Sequence, residues 1–370
     1  MRRTSHLLNQ LAVVMGSLLV FTSPVLAHTP GQSLSDQSRL NELADLLESG
    51  KELVESGSLT EALSRYQHAA SLDSENPKIF SAIGYLQARQ GNFQESVAAF
   101  QTALELDPEN LPFLFGLAYS QSQLEAYEAT ANTYRQILRL QPDNLDAQLG
   151  LGAMLFQLAA FEEASEVYAN ILADDPENLQ ATESLGLILL QQGEIEAAIT
   201  ALEHAAELAP QASQIQMNLG IAYLQEDDIA SALIAFEAAA VGDPRNADIR
   251  MQIGYILWQQ GNLDAAIESY QQAVRLEPDS VMAHDAIADL YFEQQDVLMT
   301  IVAHRELLEL APDHASGYYH LAIALEARGR TTEAIEALQR AKTLLLEQGN
   351  EADIQVIDDL LQELETSWLS

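Results

Sequence analysis

The sequence predicts an all-α protein, an α-solenoid in which pairs of helices stack one after another. Seven prolines stand at intervals of 34 residues without exception: Pro108, Pro142, Pro176, Pro210, Pro244, Pro278 and Pro312. Small and apolar residues recur at fixed distances from these prolines, with the spacing of helical faces. A constant period of this length is typical of stacked helical repeats, each of which buries its apolar face only against its neighbours. Little of the chain is therefore left for a separate catalytic domain.

Numbering each repeat so that its proline stands at position 32 makes the other recurring positions comparable. Position 8 is Gly or Ala in all nine units, and so small a residue lets two helices approach closely. Position 20 is small, position 24 is mostly aromatic or Leu and position 27 is apolar, and this spacing places the three on one helical face. Positions 4, 7, 8 and 11 form a second face, so each unit is predicted to be a helix, a turn and a helix. The nine units are 43–76, 77–110, 111–144, 145–178, 179–212, 213–246, 247–280, 281–314 and 315–348.

Turn residues separate the predicted helices. Position 15 carries a glycine in five units: Gly57, Gly91, Gly193, Gly261 and Gly329. Between units, segments such as 107–110 combine a proline that ends one helix with an asparagine that caps the next. The eighth unit departs most from the pattern, since Gln295, Thr300 and His304 occupy positions 15, 20 and 24. Its boundaries are therefore the least clearly defined by the sequence.

The two ends of the chain differ from the repeats. A basic start, an apolar stretch over residues 11–21 and small residues before Ala27 predict a signal peptide, residues 1–27, cleaved after Ala27. An uncleaved membrane anchor is the alternative. Residues 28–42 are predicted to hold a polar linker, over 28–37, and the start of the first helix. Residues 349–370 are predicted to form a capping helix whose apolar side covers the last repeat. We expect an exported protein, located in the periplasm or a comparable extracytoplasmic space.

The composition excludes several classes of partner. Lys and Arg number 17 against 55 Asp and Glu, which gives a formal net charge of −38. Such a surface repels nucleic acid and does not bind an anionic membrane directly. It favours solubility and basic partners. Because the chain has no Cys, disulfides, thiol catalysis and thiolate metal sites are excluded.

No motif for catalysis, cofactor binding or metal binding is found. The sequence lacks a phosphate-binding loop, a serine nucleophile elbow and a zinc-protease motif, so we expect no enzyme and no cofactor. Four histidines are close in sequence: His284, His304, His314 and His320. They occupy positions 4, 24, 34 and 6, which do not obviously converge, so packing or surface histidines are favoured over a metal site.

These positions together resemble the tetratricopeptide repeat family, whose units carry Leu-Gly at positions 7–8, Ala at 20, an aromatic residue at 24 and Pro at 32. The seventh unit shows the pattern well, in Ile253, Gly254, Gly261, Ala266, Tyr270, Ala273 and Pro278. The resemblance covers all nine units. It implies a right-handed superhelix whose first helices line a concave groove, where members of this family commonly bind peptides or partner segments.

The groove-facing positions usual in the family are 2, 5, 9, 12 and 13. Here they carry an apolar and aromatic stripe: Tyr85, Phe115, Tyr119, Phe156, Met217, Leu224, Met251, Tyr255, Trp258, Phe292 and Tyr319. Such a stripe suits an extended peptide or an amphipathic helix. Alternatively, large residues simply fill a tight superhelix, so Tyr255 and Trp258 are either binding anchors or packing residues. Asp285, Asp289 and Glu293 form one helical row, which either receives Lys or Arg from a ligand or is a solvated acidic face.

The function expected from these observations is that of an exported, non-catalytic scaffold or adaptor. It binds a protein or peptide, as an apolar or amphipathic and possibly basic segment, and assists assembly or localisation of envelope or exported complexes. Two alternatives stay open at the level of sequence. One is a self-associating structural protein, and the oligomeric state is left open. The other is a non-catalytic accessory subunit of a polysaccharide- or glycan-processing complex.

Overall fold

The computed structural model describes the backbone of residues 34–350 and 354–368, and the side chains of residues 37–350 and 354–364. The predicted signal peptide, residues 1–27, lies outside the described residues. Within them the secondary structure is helical, with nineteen α-helices and no β-strand. None of the described helices has the length and apolar character needed to cross a membrane.

The chain divides into two compact units, of which the first ends at Glu194 and the second begins at Ile195. The helices of the first unit are α1 (Leu34–Glu55), α2 (Leu59–Leu72), α3 (Pro77–Arg89), α4 (Phe93–Leu106), α5 (Leu111–Gln123), α6 (Tyr127–Leu140), α7 (Leu145–Gln157), α8 (Phe161–Asp174) and α9 (Leu179–Gln192). Each helix packs against the next one along the chain. This is the arrangement predicted for successive helix–turn–helix repeats.

The second unit continues the same succession of helices. They are α10 (Ile195–Leu208), α11 (Ser213–Gln225), α12 (Ile229–Gly242), α13 (Ala247–Gln259), α14 (Leu263–Leu276), α15 (Val281–Glu293), α16 (Val297–Leu310), α17 (Ala315–Ala327), α18 (Thr331–Glu347) and α19 (Ile354–Trp368). Here too, consecutive helices pack against each other. The predicted all-α solenoid of helix pairs is confirmed.

The core is built from the small position 8 and the large position 24. A Cβ atom added at Gly220 in α11 would lie 2.8 Å from the ring of Phe236 in α12. At Gly152 the equivalent distance, to the Tyr168 ring, is 2.6 Å. The glycine therefore lets the aromatic ring of the second helix rest on the backbone of the first. All nine residues at position 24 are buried, including His304 in the divergent eighth repeat.

Turns and caps explain where the helices start and stop. Positions 15 of all nine repeats have positive φ angles, between 55° and 81°, including four that are not glycine: Glu125, Ala159, Asp227 and Gln295. The left-handed conformation at this position is thus set by the turn itself, which requires it whichever residue is present. Asn144 caps α7 by accepting a hydrogen bond from the backbone N–H of Ala147 at 3.0 Å, and Asn178 caps α9 in the same way.

The ends of the array differ in one respect from expectation. Helix α1 already begins at Leu34, so the last residues of the segment 28–37, predicted as linker, are helical. This segment contains no proline or glycine after Gly31, and Gln37 stabilises the turn through an i,i+4 hydrogen bond to Asn41. At the other end, Ile357 and Leu364 of α19 are buried against α18, and Lys342 pairs with Asp358 at 2.5 Å.

Candidate protein-binding pocket

Helices α13 and α15, the first helices of repeats seven and eight, lie on either side of a pocket in the second unit. Its volume is about 440 Å³. The lining residues are Met251, Gln252, Tyr255 and Trp258 of α13, Tyr270 of α14, and Met282, Asp285, Ala286 and Asp289 of α15. Five of them belong to the groove residues predicted from the sequence. We call this site the α13–α15 pocket.

The two aromatic side chains of α13 play different parts in the pocket. Tyr255 exposes 46% of its surface and presents its ring to solvent. Trp258 is half-buried, and its Nε1 donates a 2.7 Å hydrogen bond to Oε2 of Glu293 at the end of α15. The Trp258 indole is therefore held in place as part of the lining, whereas the Tyr255 ring is free to meet a ligand.

Each carboxylate of the acidic row on α15 has a partner on another part of the second unit. Besides Glu293, Asp289 lies 3.0 Å from Nδ1 of His320, and Asp285 lies 3.6 Å from Nε2 of His314. Partial burial and the neighbouring Asp289 raise the pKa of Asp285. The row thus forms a negatively charged edge of the pocket that is tied to the neighbouring helices, an arrangement that neither of the two interpretations of the sequence included.

The sequence analysis did not assign Gln252, Tyr270, Ala286 and Met282 to the groove, and of these four lining residues only Met282 is exposed. It stands at position 2 of repeat eight, a position already predicted to face the groove, and 72% of its surface is exposed. A flexible, polarizable thioether at the mouth of a pocket adapts to ligands of irregular shape. Position 2 is polar in most other repeats, so the apolar Met282 at this position in repeat eight was the signal that would have identified it.

The other predicted groove residues are not brought together in this pocket. Tyr85 was expected to be exposed, and this is wrong, since only 4% of its surface is accessible. The Arg89 guanidinium lies 5.7 Å from the centre of the Tyr85 ring and donates a hydrogen bond to its hydroxyl. The remaining seven are half-buried: Phe115, Tyr119, Phe156, Met217, Leu224, Phe292 and Tyr319.

Packing contacts account for several of these half-buried side chains. Phe156 contacts the edge of Phe161, with ring centres 5.7 Å apart, and Tyr119 contacts Phe93 in the same manner at 6.2 Å. Met217 and Leu224 pack against the core around Phe236. In these stretches the stripe is largely a packing feature. Of the predicted apolar and aromatic groove residues, only Tyr255 in the α13–α15 pocket is exposed.

The expectation that the four histidines do not converge is wrong for two of them. His304 and His320 lie with Asp289 in one cluster, whose nitrogen and oxygen atoms are all within 4.8 Å of one another. His314 instead caps α17 through Nδ1, and His284 contacts the carbonyl oxygen of Pro278. The convergence arises because position 24 of one repeat packs against position 6 of the next, a contact between neighbours that sequence spacing alone does not show.

Models of the tetratricopeptide repeat match most of the chain. One model matches residues 115–178, 157–213, 184–248, 217–281, 251–297 and 303–349. Two others, described as TPR repeat and tetratricopeptide repeat, match residues 50–91 and 77–110. Among curated proteins, no significant match to the chain is found.

Solved structures of repeat proteins are similar to this chain at low sequence identity. A tetratricopeptide repeat protein from Parabacteroides merdae is 18% identical, with a TM-score of 0.51 over 68% of this chain and 98% of that one. YrrB, described as a TPR protein with an unusual peptide-binding site, is 19% identical and has a TM-score of 0.44, covering 49% of this chain and 93% of its own. MamA from Desulfovibrio magneticus RS-1 is 21% identical, with a TM-score of 0.42 over 44% of this chain and 92% of its own.

The similarity to the Parabacteroides merdae protein supports the assignment of the helical-repeat fold. The repeat models cover far more than half of the sequence, and the buried positions of the helix pairs follow the same register. The chain therefore belongs to the tetratricopeptide repeat family, and its repeats form a scaffold for protein interaction.

Proposed function

We propose that this protein is an exported scaffold that captures a segment of another exported or envelope protein in the α13–α15 pocket, and so holds that protein for assembly or localisation. The observation that carries the proposal is the pocket itself. It combines the exposed Tyr255 and Met282 with an acidic edge at Asp285 and Asp289. An apolar floor with charge at one side is suited to orient an amphipathic ligand.

The partner segment is inferred to be amphipathic and basic. A large apolar side chain would fill the space between Tyr255, Trp258 and Met282, and its burial would supply most of the affinity. A Lys or Arg near it would meet the carboxylates of Asp285 and Asp289. The net charge of −38 would add a long-range field that speeds the approach of a basic segment and disfavours an acidic one.

Export rests on the amino-terminal residues 1–27, with their basic start, apolar core and small residues before the predicted cleavage site. Fractionation of the cells that make this protein, followed by amino-terminal sequencing, tests this part. We expect a chain that begins at His28 in an extracytoplasmic fraction. A chain that begins at Met1 in the cytoplasm would contradict it.

Peptide selection tests the binding function. A random peptide library would be selected on the immobilised protein, and the enriched peptide would be labelled and measured by fluorescence anisotropy. We expect enriched peptides to carry a large apolar residue beside Lys or Arg. We expect binding to weaken as salt rises from about 0.1 M to about 1 M, where the Debye length falls from about 10 Å to about 3 Å.

Matched variants identify the site of binding. Tyr255→Ala with Met282→Ala should weaken binding by about tenfold or more, since both side chains would contact the ligand. The control is Ile234→Ala with Leu298→Ala, which removes two exposed apolar side chains from second helices outside the pocket (69% and 59% exposed). Equal affinity of the two double variants, or no enriched peptide at all, would count against the proposal. Light scattering on the same protein distinguishes it from self-association.

A further inference from the structure

Asp289, His304 and His320 form a three-residue cluster beside the α13–α15 pocket, contributed by the consecutive helices α15, α16 and α17. One oxygen and two nitrogen atoms of these side chains lie within 4.8 Å of one another. The Oδ1 atom of Asp289 is 3.0 Å from Nδ1 of His320 and 3.9 Å from Nε2 of His304. The three groups thus point toward one common volume.

His304 is the unusual member of the cluster. Its side chain is fully buried, and Nδ1 lies 3.0 Å from the backbone carbonyl oxygen of Thr300. Because a carbonyl oxygen only accepts hydrogen bonds, Nδ1 carries the hydrogen, and in the neutral ring Nε2 has a free lone pair. That Nε2 atom is buried and has no hydrogen-bond partner. Buried polar atoms are normally paired, so a lone pair aimed at a carboxylate calls for an electrophile between them.

The position of His304 in the repeat strengthens this argument. Position 24 is filled by a buried Tyr, Phe or Leu in the other eight repeats. In the sixth and seventh repeats, for example, its ring packs on the glycine at position 8 of the same repeat. An apolar ring would therefore fit this place at no polar cost. The imidazole exchanges that apolar packing for a nitrogen directed at Asp289, and the carbonyl of Thr300 fixes which nitrogen this is. A backbone carbonyl that orients the second ring nitrogen is the usual support of a histidine ligand to a metal.

His320 completes the cluster from the next repeat. It stands at position 6, where the equivalent Gly116 and Gly150 face the rings of Phe100 and Tyr134. The Phe292 ring stacks on the His320 imidazole, with ring centres 4.4 Å apart and an angle of 16° between the planes, and this fixes its orientation. About a quarter of the His320 side chain is exposed (24%), as is a third of Asp289 (36%), so an ion can enter from the solvent side.

We propose that Asp289, His304 and His320 bind a divalent transition-metal ion of the Zn²⁺ type, with a fourth coordination position open toward the pocket. Two imidazoles and one carboxylate suit Zn²⁺ and its neighbours, whereas Mg²⁺ and Ca²⁺ prefer oxygen ligands throughout. Tetrahedral coordination at about 2.1 Å places ligand atoms about 3.4 Å apart. The present separations of 3.0 Å and 3.9 Å lie on either side of that value, and the two histidine nitrogens lie within 4.8 Å of each other.

This proposal goes beyond peptide binding and does not depend on it. Asp289 belongs both to the cluster and to the lining of the pocket, so a bound ion would change the charge at the pocket edge. The open position would be filled by water, or by a carboxylate or imidazole of a partner. The alternative for the same residues is an Asp–His pair that shares only a proton, and the experiment distinguishes the two.

The test is a metal titration of the full chain, purified without a polyhistidine tag and treated with a chelator. Zn²⁺ binding would be measured by calorimetry, and Co²⁺ would serve as a coloured probe whose visible spectrum reports nitrogen–oxygen coordination. We expect one ion per chain, and no comparable binding of Mg²⁺. Leucine already occupies position 24 in repeat nine, as Leu338, so His304→Leu is a conservative choice for the fold. The variant should lower Zn²⁺ affinity by about 100-fold or more.

Further variants keep the result interpretable. Asp289→Asn and His320→Gln alter partly exposed side chains and should weaken Zn²⁺ binding even if His304→Leu fails to fold. The controls are His68→Gln and His204→Gln, which remove exposed histidines lying 3.5 Å and 3.9 Å from a glutamate and should leave the affinity unchanged. The proposal is overturned if the unaltered chain binds no Zn²⁺ beyond the level of the cluster variants, or if the control variants weaken binding as much.

Discussion

The Nε1 atom of Trp258 donates a 2.7 Å hydrogen bond to Oε2 of Glu293, a residue 35 positions later in the chain. The bond joins the first helices of repeats seven and eight along one side of the pocket. It answers in part whether the α13 aromatics are anchors or packing residues. Trp258 is held by its neighbour, whereas Tyr255 next to it is 46% exposed and has the freedom to contact a partner.

Removing the acceptor should release the indole. In a Trp368→Phe background, which leaves Trp258 as the single tryptophan, Glu293→Ala should lower the fluorescence anisotropy of Trp258 and shift its emission. The loss of stability should be modest, within about 1 kcal/mol, because Glu293 is exposed. Glu293→Gln keeps an acceptor oxygen and should behave almost like the unaltered protein. Identical anisotropy for Ala and Gln variants would show that packing alone holds the ring.

Gly220 and Phe236 should be energetically coupled. A Cβ at Gly220 would lie 2.8 Å from the Phe236 ring, so Gly220→Ala should destabilise the protein by about 1–3 kcal/mol. In repeat nine the same two positions are Ala322 and Leu338, which fit together. Gly220→Ala combined with Phe236→Leu should therefore cost less than the sum of the two single changes. Chemical denaturation of the four proteins measures the coupling, and strictly additive effects would contradict the close contact.

Replacing a non-glycine residue at position 15 by glycine should increase the stability of the protein. Ala159 has a φ angle of 55°, a conformation that costs a residue with a Cβ about 1 kcal/mol. Ala159→Gly should therefore raise the thermal midpoint by a few degrees. As a control, Ala169→Gly changes an exposed alanine inside α8, where glycine should destabilise the helix by about as much. If both changes lower the midpoint, the left-handed turn is not the controlling factor.

Burial of His304 should make the metal-free protein sensitive to acid. Desolvation is the main cause that lowers its pKa from 6.5 to about 4, helped by His320 and His314 and opposed by Asp289 and the Thr300 carbonyl. The unfolded chain takes up the proton first, so stability is full above about pH 6.5 and falls as the pH drops toward 4. The loss should be on the order of 3 kcal/mol.

The variant His304→Leu isolates this contribution. It retains the other acidic groups of the chain, so the difference in unfolding free energy between the two proteins cancels their common titration. Measured with chelator present, that difference should shift in favour of the leucine variant as the pH falls from 6.5 to 4.5. Parallel pH profiles would mean that His304 is protonated as readily in the folded protein as in the unfolded one.

The helical pairs and their cores could be predicted from the sequence because both depend on local spacing. A small residue at position 8 and a ring at position 24 meet within one helix pair, so the residue types that recur in the 34-residue register identify both. Exposure in the groove depends on more. Tyr85 and Tyr255 occupy the same position 9, but Arg89 covers the first ring, and the second is 46% exposed.

The histidine cluster shows the same limit. Its residues stand at positions 9, 24 and 6 of two successive repeats, and no spacing within one repeat brings them together. The available signal was the glycine at position 6 opposite an aromatic ring, as in Gly116 beside Phe100, which shows where position 6 points. Contacts between neighbouring repeats can be predicted only by comparison with the equivalent contact in another pair of neighbouring repeats.

The most direct test of the central claim is a fluorescence titration of the Trp368→Phe protein, in which Trp258 reports on the α13–α15 pocket. Adding the enriched basic peptide should shift the Trp258 emission in a saturable manner, with a dissociation constant equal to that found by anisotropy and with the same salt dependence. Tyr255→Ala should move both curves together. A peptide that binds by anisotropy but leaves Trp258 emission unchanged would show that the pocket is not where the partner segment is held.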